Sequence, residues 1–397
     1  MSASPLKIAS PLVLAGATLL LAACGGGGSG SADDSAETVA LKTSASTRQV
    51  ESAAVHATTV KVATPAGGTY TLQQRIAAAN AVAKTHAYCT ALHPFYWEIG
   101  DKSGMQASGT GGGKSPAPPN ASTPLHFASA SKWLFSTYVV EKQQGVLSTA
   151  DIKRLNFTSG YTNLDRCSPT STVSSCLSET GLNGGFNGSY NASADGRFDY
   201  NAGHMQVLAD HIGLGQSRGN ALAGQLQAIL GSNLAFHFGA PVISGGAVGT
   251  PAAYAQFLRN MLGGRYPHMR DMLGSHAVCT HANSADCPSA LYNPINQSAP
   301  GAANDVGNEA AHYSLGHWVE DDPAYSDGAF SSPGKFSFYP WIDRSKTYYG
   351  VLATIDAAAT TQVSALPGGV WPLNCGRLIR RAWLMPDAPV KPPAKHG

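Results

Sequence analysis

His126-Phe127-Ala128-Ser129-Ala130-Ser131-Lys132-Trp133-Leu134-Phe135-Ser136-Thr137-Tyr138-Val139-Val140-Glu141 carries two patterns at once. Apolar residues at Trp133, Leu134, Phe135, Tyr138 and Val139 recur at a spacing that predicts one buried helix face. Ser129 stands at the start of that pattern, and Lys132 follows three residues later. Positions i and i+3 of a helix share a face, about 5–6 Å apart at Cβ, which brings the Ser129 hydroxyl within reach of the Lys132 amine. A serine becomes a competent nucleophile when a neighbouring base takes its proton, and a lysine held neutral by burial or a nearby positive charge can be that base. A helix N-terminus adds backbone N–H groups and a positive dipole end able to stabilise an oxyanion. The competing local reading is an N-capping serine and a solvated lysine. S-x-x-K also occurs at Ser4–Lys7, in a targeting segment, and at Ser332–Lys335, where Pro333-Gly334 predicts a turn whose ends need not share a face.

Around this stretch lie 397 residues, enough for one large domain or two smaller ones. Charged residues make up 13% and hydrophobic residues 43%, the balance of a folded globular chain. A net charge of +2 gives no basic field for nucleic acid. Lys7, the apolar run from Pro11 to Ala23, and Leu21-Ala22-Ala23-Cys24 read as a signal peptide over 1–24. Its ending resembles a bacterial lipobox, which implies cleavage before Cys24, lipidation of that thiol and a membrane-anchored protein. Gly25 rather than aspartate follows, so the expected location is the outer membrane, facing the periplasm. Residues 25–68, rich in Gly, Ser, Ala and Thr, read as a flexible tether. The remaining six cysteines read as disulfides in an exported chain, and fifteen pairings are possible. Cys167–Cys176 and Cys279–Cys287 would each close a short polar loop, and Cys89–Cys375 would tie the chain ends together. No C-x-x-C or H-x-x-x-H spacing points to a metal, and neither metal nor cofactor is expected.

The folded part is expected over 69–386, with a disordered tail at 387–397. A helix is predicted from Tyr70 to Ala91, with Leu72, Ile76, Ala79, Val82 and Ala83 on one side, followed by strands at Phe95–Gly100 and Met105–Gly109. Ser148 offers a fresh N-cap, and helices are predicted at Met205–Ile212, Asn220–Leu230 and Pro251–Leu262. Strands are expected at His312–Val319, Phe336–Ile342 and Tyr348–Ile355, and a closing helix at Pro372–Leu384. The order predicts an α/β (α+β) fold: a central antiparallel sheet flanked by helices, with an inserted, mostly helical subdomain at about 148–300.

Three stretches resemble the serine β-lactamase and penicillin-recognising family in its class C-like branch, which includes D-alanyl-D-alanine carboxypeptidases and β-lactamase-like carboxylesterases. Phe127-Ala128-Ser129-Ala130-Ser131-Lys132 looks like the nucleophile motif. Gly145-Val146-Leu147-Ser148 through Leu155-Asn156-Phe157-Thr158-Ser159-Gly160-Tyr161 is similar to the segment that follows it. Phe198-Asp199-Tyr200-Asn201-Ala202-Gly203-His204 looks like the Tyr-x-Asn segment. The resemblance spans about Tyr70 to Leu384. It implies that Ser129 attacks a carbonyl to form an acyl-enzyme, that Lys132 and Tyr200 share the proton work, and that the Ser129 N–H forms half of an oxyanion hole.

Two departures matter. Ala202 stands where the family places Asn, and Asn201 is the nearest substitute for substrate binding. The third motif, a Lys-Thr-Gly or His-x-Gly, has no clean match. Ser332-Pro333-Gly334 is its best candidate, with the Lys335 N–H as second oxyanion donor. The carboxylate-recognising cation of that motif is absent at Ser332, which favours a neutral acyl group in an ester or amide; Lys335 and Arg344 are the cations that could reach in. Gly215-Gln216-Ser217-Arg218-Gly219 fits G-x-S-x-G, but that elbow must follow a strand, and a helical pattern precedes this one. His204, His312 and His317 read as structural or pocket-lining. The expectation is an exported monomeric serine hydrolase acting on a small-molecule or peptide-like ester or amide. The alternatives are a β-lactamase or D-Ala-D-Ala carboxypeptidase, or a catalytically inactive envelope-binding protein of the same fold.

Overall fold

The computed structural model describes residues 70–282, 284–296, 309–323, 326–355 and 370–387. The signal peptide, Cys24, the tether and the tail from 388 onward lie outside these residues. Helices that bear on the site are α1 (Leu72–Thr85), α2 (Ser131–Lys142), α3 (Thr149–Leu155), α4 (Gly203–Ala209), α5 (Gly219–Leu230), α6 (Pro251–Leu262) and α7 (Val370–Leu384). The main sheet contains β1 (Phe95–Asp101), β2 (Gly104–Gly111), β3 (Val278–Cys279), β4 (His312–Ser314), β5 (His317–Glu320), β6 (Ala329–Ser331), β7 (Phe338–Ile342) and β8 (Tyr348–Thr354). Its strand order is β2-β1-β8-β7-β6-β5-β4-β3, antiparallel throughout. Early and late parts of the chain meet where β1 pairs with β8, with Trp97 opposite Leu352.

Alternation along the strands divides the core into two layers. Phe95, Trp97 and Ile99 of β1 join Tyr339, Trp341 and Leu352 in a cluster with Ala79, Val82 and Ala83 of α1 and Leu378, Ile379 and Trp383 of α7. Phe338, Ile342, Tyr349, Val351 and Ala353 point the other way, into the layer that holds α2 and the helical region. In α2 every residue from Ser131 to Val140 is at most 4% exposed. The sequence pattern predicts one buried face, whereas the helix is enclosed all round between the sheet and the helices inserted after it. Its hydroxyls are satisfied internally: Ser136 and Thr137 donate to the Trp133 carbonyl, and Ser131 accepts from the Ala247 N–H.

The structure differs from the sequence reading at several elements. The helix expected over Tyr70–Ala91 begins with a capping box between Thr71 and Gln74 and breaks at His86, whose extended backbone separates α1 from a short turn at Ala87–Thr90. Leu72, at the first position of α1, is exposed rather than packed. The strand expected over His312–Val319 is a hairpin, because Leu315 (φ 41°) and Gly316 (φ 82°) reverse the chain between β4 and β5. The helix expected at Met205–Ile212 ends as α4 at Ala209, and a wider turn over Asp210–Leu214 follows, broken at Gly213 (φ 94°). Between residues 148 and 296 the chain is mostly helix and loop. It also holds strands that were not anticipated: Phe236–Phe238 and Ala247–Gly249 join Leu125–His126 in a small sheet, and Phe198–Asp199 pairs with Ala290–Tyr292. The disulfides are Cys89–Cys375, Cys167–Cys176 and Cys279–Cys287, the expected pairing. No described helix is long and apolar enough to cross a membrane.

Candidate active site

Ser129 lies in a 3-10 turn, Ala128–Ala130, that leads directly into α2. Ala128 takes a positive φ of 45°, a conformation that L residues adopt only when their surroundings hold them there. Those surroundings are visible on three sides. The Phe127 N–H donates to the Ala247 carbonyl (2.9 Å), the Tyr254 hydroxyl of α6 donates to the Ala130 carbonyl (2.8 Å), and the Ser332 hydroxyl donates to the Ser129 carbonyl (3.1 Å). The turn is thus fixed by the small sheet, by α6 and by the segment after β6. Ser129 makes no side-chain cap on α2, so its hydroxyl is not consumed by the helix terminus. Among the described residues, no carbonyl accepts the Ser129 N–H.

Lys132 Nζ donates to Ser129 Oγ at 3.0 Å and to the Ser244 carbonyl at 2.9 Å. Lys132 is 4% exposed and Ser129 7%, so the solvated lysine of the competing reading is absent. Lys132 Nζ lies 4.7 Å from the centre of the Tyr200 ring and 5.8 Å from that of Phe157. Tyr200 is itself buried, stacked on Trp318 (5.4 Å) and edge-on to Phe157 (5.2 Å) and Tyr313 (5.8 Å). A packed aromatic floor holds the tyrosine against the serine–lysine pair. An amine in hydrogen-bond contact with a buried hydroxyl can accept its proton, and a phenol beside the amine can pass that proton on.

The rest of the tyrosine segment is held by local bonds. Asn201 Oδ1 accepts from the Leu164 N–H (3.0 Å) and the Gly203 N–H (2.9 Å), so its carbonyl oxygen is used by the backbone at the start of α4. His204 Nδ1 accepts from the Ser159 N–H (3.3 Å), which leaves Nε2–H to donate to the Asp199 carbonyl (3.1 Å). This fully buried ring stacks on Phe157, and burial holds it neutral, with its pKa pushed down to about 3. It pins the Thr158-Ser159-Gly160 segment to the tyrosine segment. Burial also raises the Asp199 carboxyl, next to Tyr200, to about 6.

The candidate third motif comes to the same place. Gly334 lies so close to the nucleophile turn that a Cβ built on it would stand 2.2 Å from the Phe127 carbonyl oxygen and 3.4 Å from Ala128 Cβ. The chain then turns over 335–337 into β7, with the Gly334 N–H on the Phe338 carbonyl (2.7 Å). Lys335 is half-buried in this turn, and no acceptor for its N–H occurs among the described residues. Ser332 is buried, with its hydroxyl turned to the Ser129 carbonyl. Arg344 is exposed, its side chain lying against Gly328. Ser217 follows the Asp210–Leu214 helical turn rather than a strand, and its carbonyl accepts from the Val173 N–H at the start of a short helix, Val173–Leu177. No group of three or more His, Cys, Asp or Glu able to hold a metal occurs among the described residues.

Sequence reasoning missed Ser244, whose carbonyl is the second partner of Lys132, and Tyr254, which braces the nucleophile turn. Backbone carbonyls leave no residue-type signal, and Ser244 is 112 residues from the lysine. Tyr254 does fall on the apolar stripe of α6, where its side chain reads as core.

No family model matches the chain, and no curated protein matches it. Among solved structures it is similar to a β-lactamase from Mycobacterium bovis, at 15% identity over 73% of this chain and 95% of the other, with a TM-score of 0.47. It is also similar to a D-stereospecific amidohydrolase from Streptomyces, at 11% identity over 79% and 99% of the two chains, with a TM-score of 0.47. Simvastatin synthase from Aspergillus terreus aligns at 13% identity over 76% and 99%, with a TM-score of 0.44. Likenesses at these scores assign no role to any residue. What the chain's own geometry gives is a large antiparallel sheet flanked by helices, with Ser129 and Lys132 on one turn at its centre, the architecture implied by the three sequence segments.

Proposed function

We propose that this protein is a serine hydrolase that cleaves an ester or amide through an acyl-enzyme on Ser129. The observation that carries the reading is the buried contact of 3.0 Å between Lys132 Nζ and Ser129 Oγ. In the proposed cycle, Lys132 takes the Ser129 proton as the hydroxyl oxygen attacks the substrate carbonyl. Tyr200 relays that proton to the leaving group, and in the second half the same pair activates the water that releases the acyl group. The N–H groups of Ser129 and Lys335 receive the oxyanion. Gly334 supports this assignment, since lacking a Cβ it leaves the backbone free to approach the nucleophile turn.

The substrate class is an ester or amide with a neutral acyl group. Ser332 brings no cation to the place where carboxylate recognition is expected, and its hydroxyl is already bonded to the Ser129 carbonyl. The chain is further proposed to be an exported lipoprotein anchored at Cys24, a reading supported by the three disulfides, which persist in oxidising compartments. The decisive experiment is turnover of a p-nitrophenyl ester by the mature protein and by Ser129→Ala. Hydrolysis lost in the variant supports the proposal. A wild-type protein inert to esters, amides and β-lactams alike would instead favour a binding protein of the same fold.

A further inference from the structure

We infer that Gln206 is a positioning residue for the candidate base: its side-chain amide holds the 241–243 backbone so that the Ser244 carbonyl stays on the Lys132 amine. The inference rests on the acyl-enzyme reading of Ser129 and deepens it. Ala202 presents only a methyl group where the resemblance leads one to expect a side-chain amide beside the lysine. Ala202 is the N-cap of α4 and Gln206 stands four residues on, within the helix; positions i and i+4 share a helix face, so an amide appears one turn on. Gln206 is fully buried. Its Nε2 donates to the Pro241 carbonyl (2.7 Å) and the Val173 carbonyl (3.1 Å), and its Oε1 accepts from the Ile243 N–H (3.0 Å). These bonds fix a glycine-bounded loop, residues 239–246, from one side. From the other side the Ser131 hydroxyl accepts from the Ala247 N–H (3.1 Å). Ser244 hangs between the two supports, 1% exposed, with its carbonyl 2.9 Å from Lys132 Nζ.

The chemical consequence follows from the geometry of an amine. When Lys132 is neutral, one N–H donates to the Ser244 carbonyl, which holds the nitrogen in place with its lone pair available to the Ser129 hydroxyl. Without the carbonyl the amine loses one of the bonds that orient it, and the proton transfer loses part of its alignment. Gln206 touches neither serine nor lysine in the bonds described, so it acts through the loop. Because it belongs to the helix that follows Tyr200, it also ties the loop to the tyrosine's own segment.

The test compares wild type with Gln206→Met and Gln206→Glu, using a p-nitrophenyl ester over a range of pH. Gln206→Met keeps the length and removes the hydrogen bonds. It is expected to lower kcat by roughly 10- to 100-fold, the scale on which small misplacements of catalytic groups act, with KM changed less than about twofold. In the crystal structure of this variant the Ser244–Lys132 contact is expected to open beyond hydrogen-bond reach. Gln206→Glu keeps the shape. Its carboxyl can donate to one carbonyl while protonated but repels both once ionised, so it should add a descending limb to the pH–rate profile as the pH rises. If Gln206→Met fails to fold, that limb carries the test. A pH–rate profile of unchanged shape in Gln206→Glu, or an intact Ser244–Lys132 contact in Gln206→Met with kcat reduced only by the unfolded fraction, would overturn the inference. The contact is read without turnover, so it judges Gln206 even if Ser129→Ala retains activity, an outcome that would sink the acyl-enzyme reading instead.

Discussion

A lysine 4% exposed and bonded to a serine hydroxyl is a costly arrangement in a fold that needs only stability, because a charged amine loses its hydration on burial. The expected cost of removing it is therefore split. Lys132→Met should lower kcat/KM by at least about a hundredfold while leaving the melting temperature equal or higher, since a buried polar amine is replaced by an apolar side chain of similar length. Steady-state kinetics beside thermal unfolding would check both halves. Tyr200→Phe removes only the hydroxyl from a ring packed against Trp318, Phe157 and Tyr313. It should leave the fold intact and reduce kcat by roughly 10²- to 10⁴-fold, the range of general acid–base catalysis.

His204 makes a separate prediction about acid. Its folded pKa is about 3 against an ordinary 6.5, so as the pH falls through 6.5 the unfolded chain takes up a proton that the folded chain refuses. Stability from this group is present above 6.5 and declines toward 3. His204→Gln cannot protonate, so its deficit relative to wild type should shrink by about 2 kcal/mol between pH 7 and pH 5. Denaturant unfolding at the two pH values measures it, and a deficit independent of pH would show that His204 titrates normally.

At the scale of elements, Gly334 is the position where two of them touch without room for a side chain. A Cβ there would meet the Phe127 carbonyl at 2.2 Å, and the nucleophile turn is braced elsewhere by Ala247, Tyr254 and Ser332. Gly334→Ala is expected to displace that turn, with a stability loss of about 1–3 kcal/mol and loss of most esterase activity. A variant with wild-type kcat would mean that the 332–335 segment is not part of the site. Behind this segment, the Ser331 hydroxyl donates to Glu320, which also binds Arg377 and Arg380 of α7. Burial pushes the Glu320 carboxyl up, and the two guanidinium groups overcome that and bring it to about 2. The strand that precedes the candidate third motif, β6, is thus tied to the closing helix by a buried ion network.

The sequence is legible where structure is local and opaque where it is not. Ser129 and Lys132 are three residues apart, so helix geometry alone predicts their contact. Pro251–Leu262 is bounded by Thr250 as N-cap and Pro251 in the first turn, and its predicted ends are the observed ones. The β4–β5 turn was missed because Leu315 takes a positive φ, which no leucine advertises. The small sheet was missed because its strands are only two or three residues long and one of its two pairings, Leu125–His126 with Ala247–Gly249, crosses more than a hundred residues. The all-round burial of α2 is invisible in its own pattern, since Ser131, Ser136 and Thr137 read as solvent-facing polar positions until their internal hydrogen bonds are known.

Across the whole molecule, the two ends of the described chain close on each other. β1 pairs with β8, α1 and α7 share one core layer, and Cys89 is bonded to Cys375 across 286 residues. Replacing both cysteines by alanine frees a very long loop in the unfolded chain, and a loss of roughly 2–5 kcal/mol is expected. A drop in melting temperature without a change in kcat would place that bond in the scaffold and outside the chemistry. The aromatic floor of Phe157, Tyr200, Tyr313 and Trp318 lies in the other layer, on the far side of the sheet from α1 and α7. The most direct test of Ser129 as the nucleophile is peptide mapping by mass spectrometry after the mature protein reacts with a fluorophosphonate probe. A single covalent adduct on Ser129, lost in Ser129→Ala, is expected. An adduct on Ser217, or none on a protein shown to be folded, would contradict it.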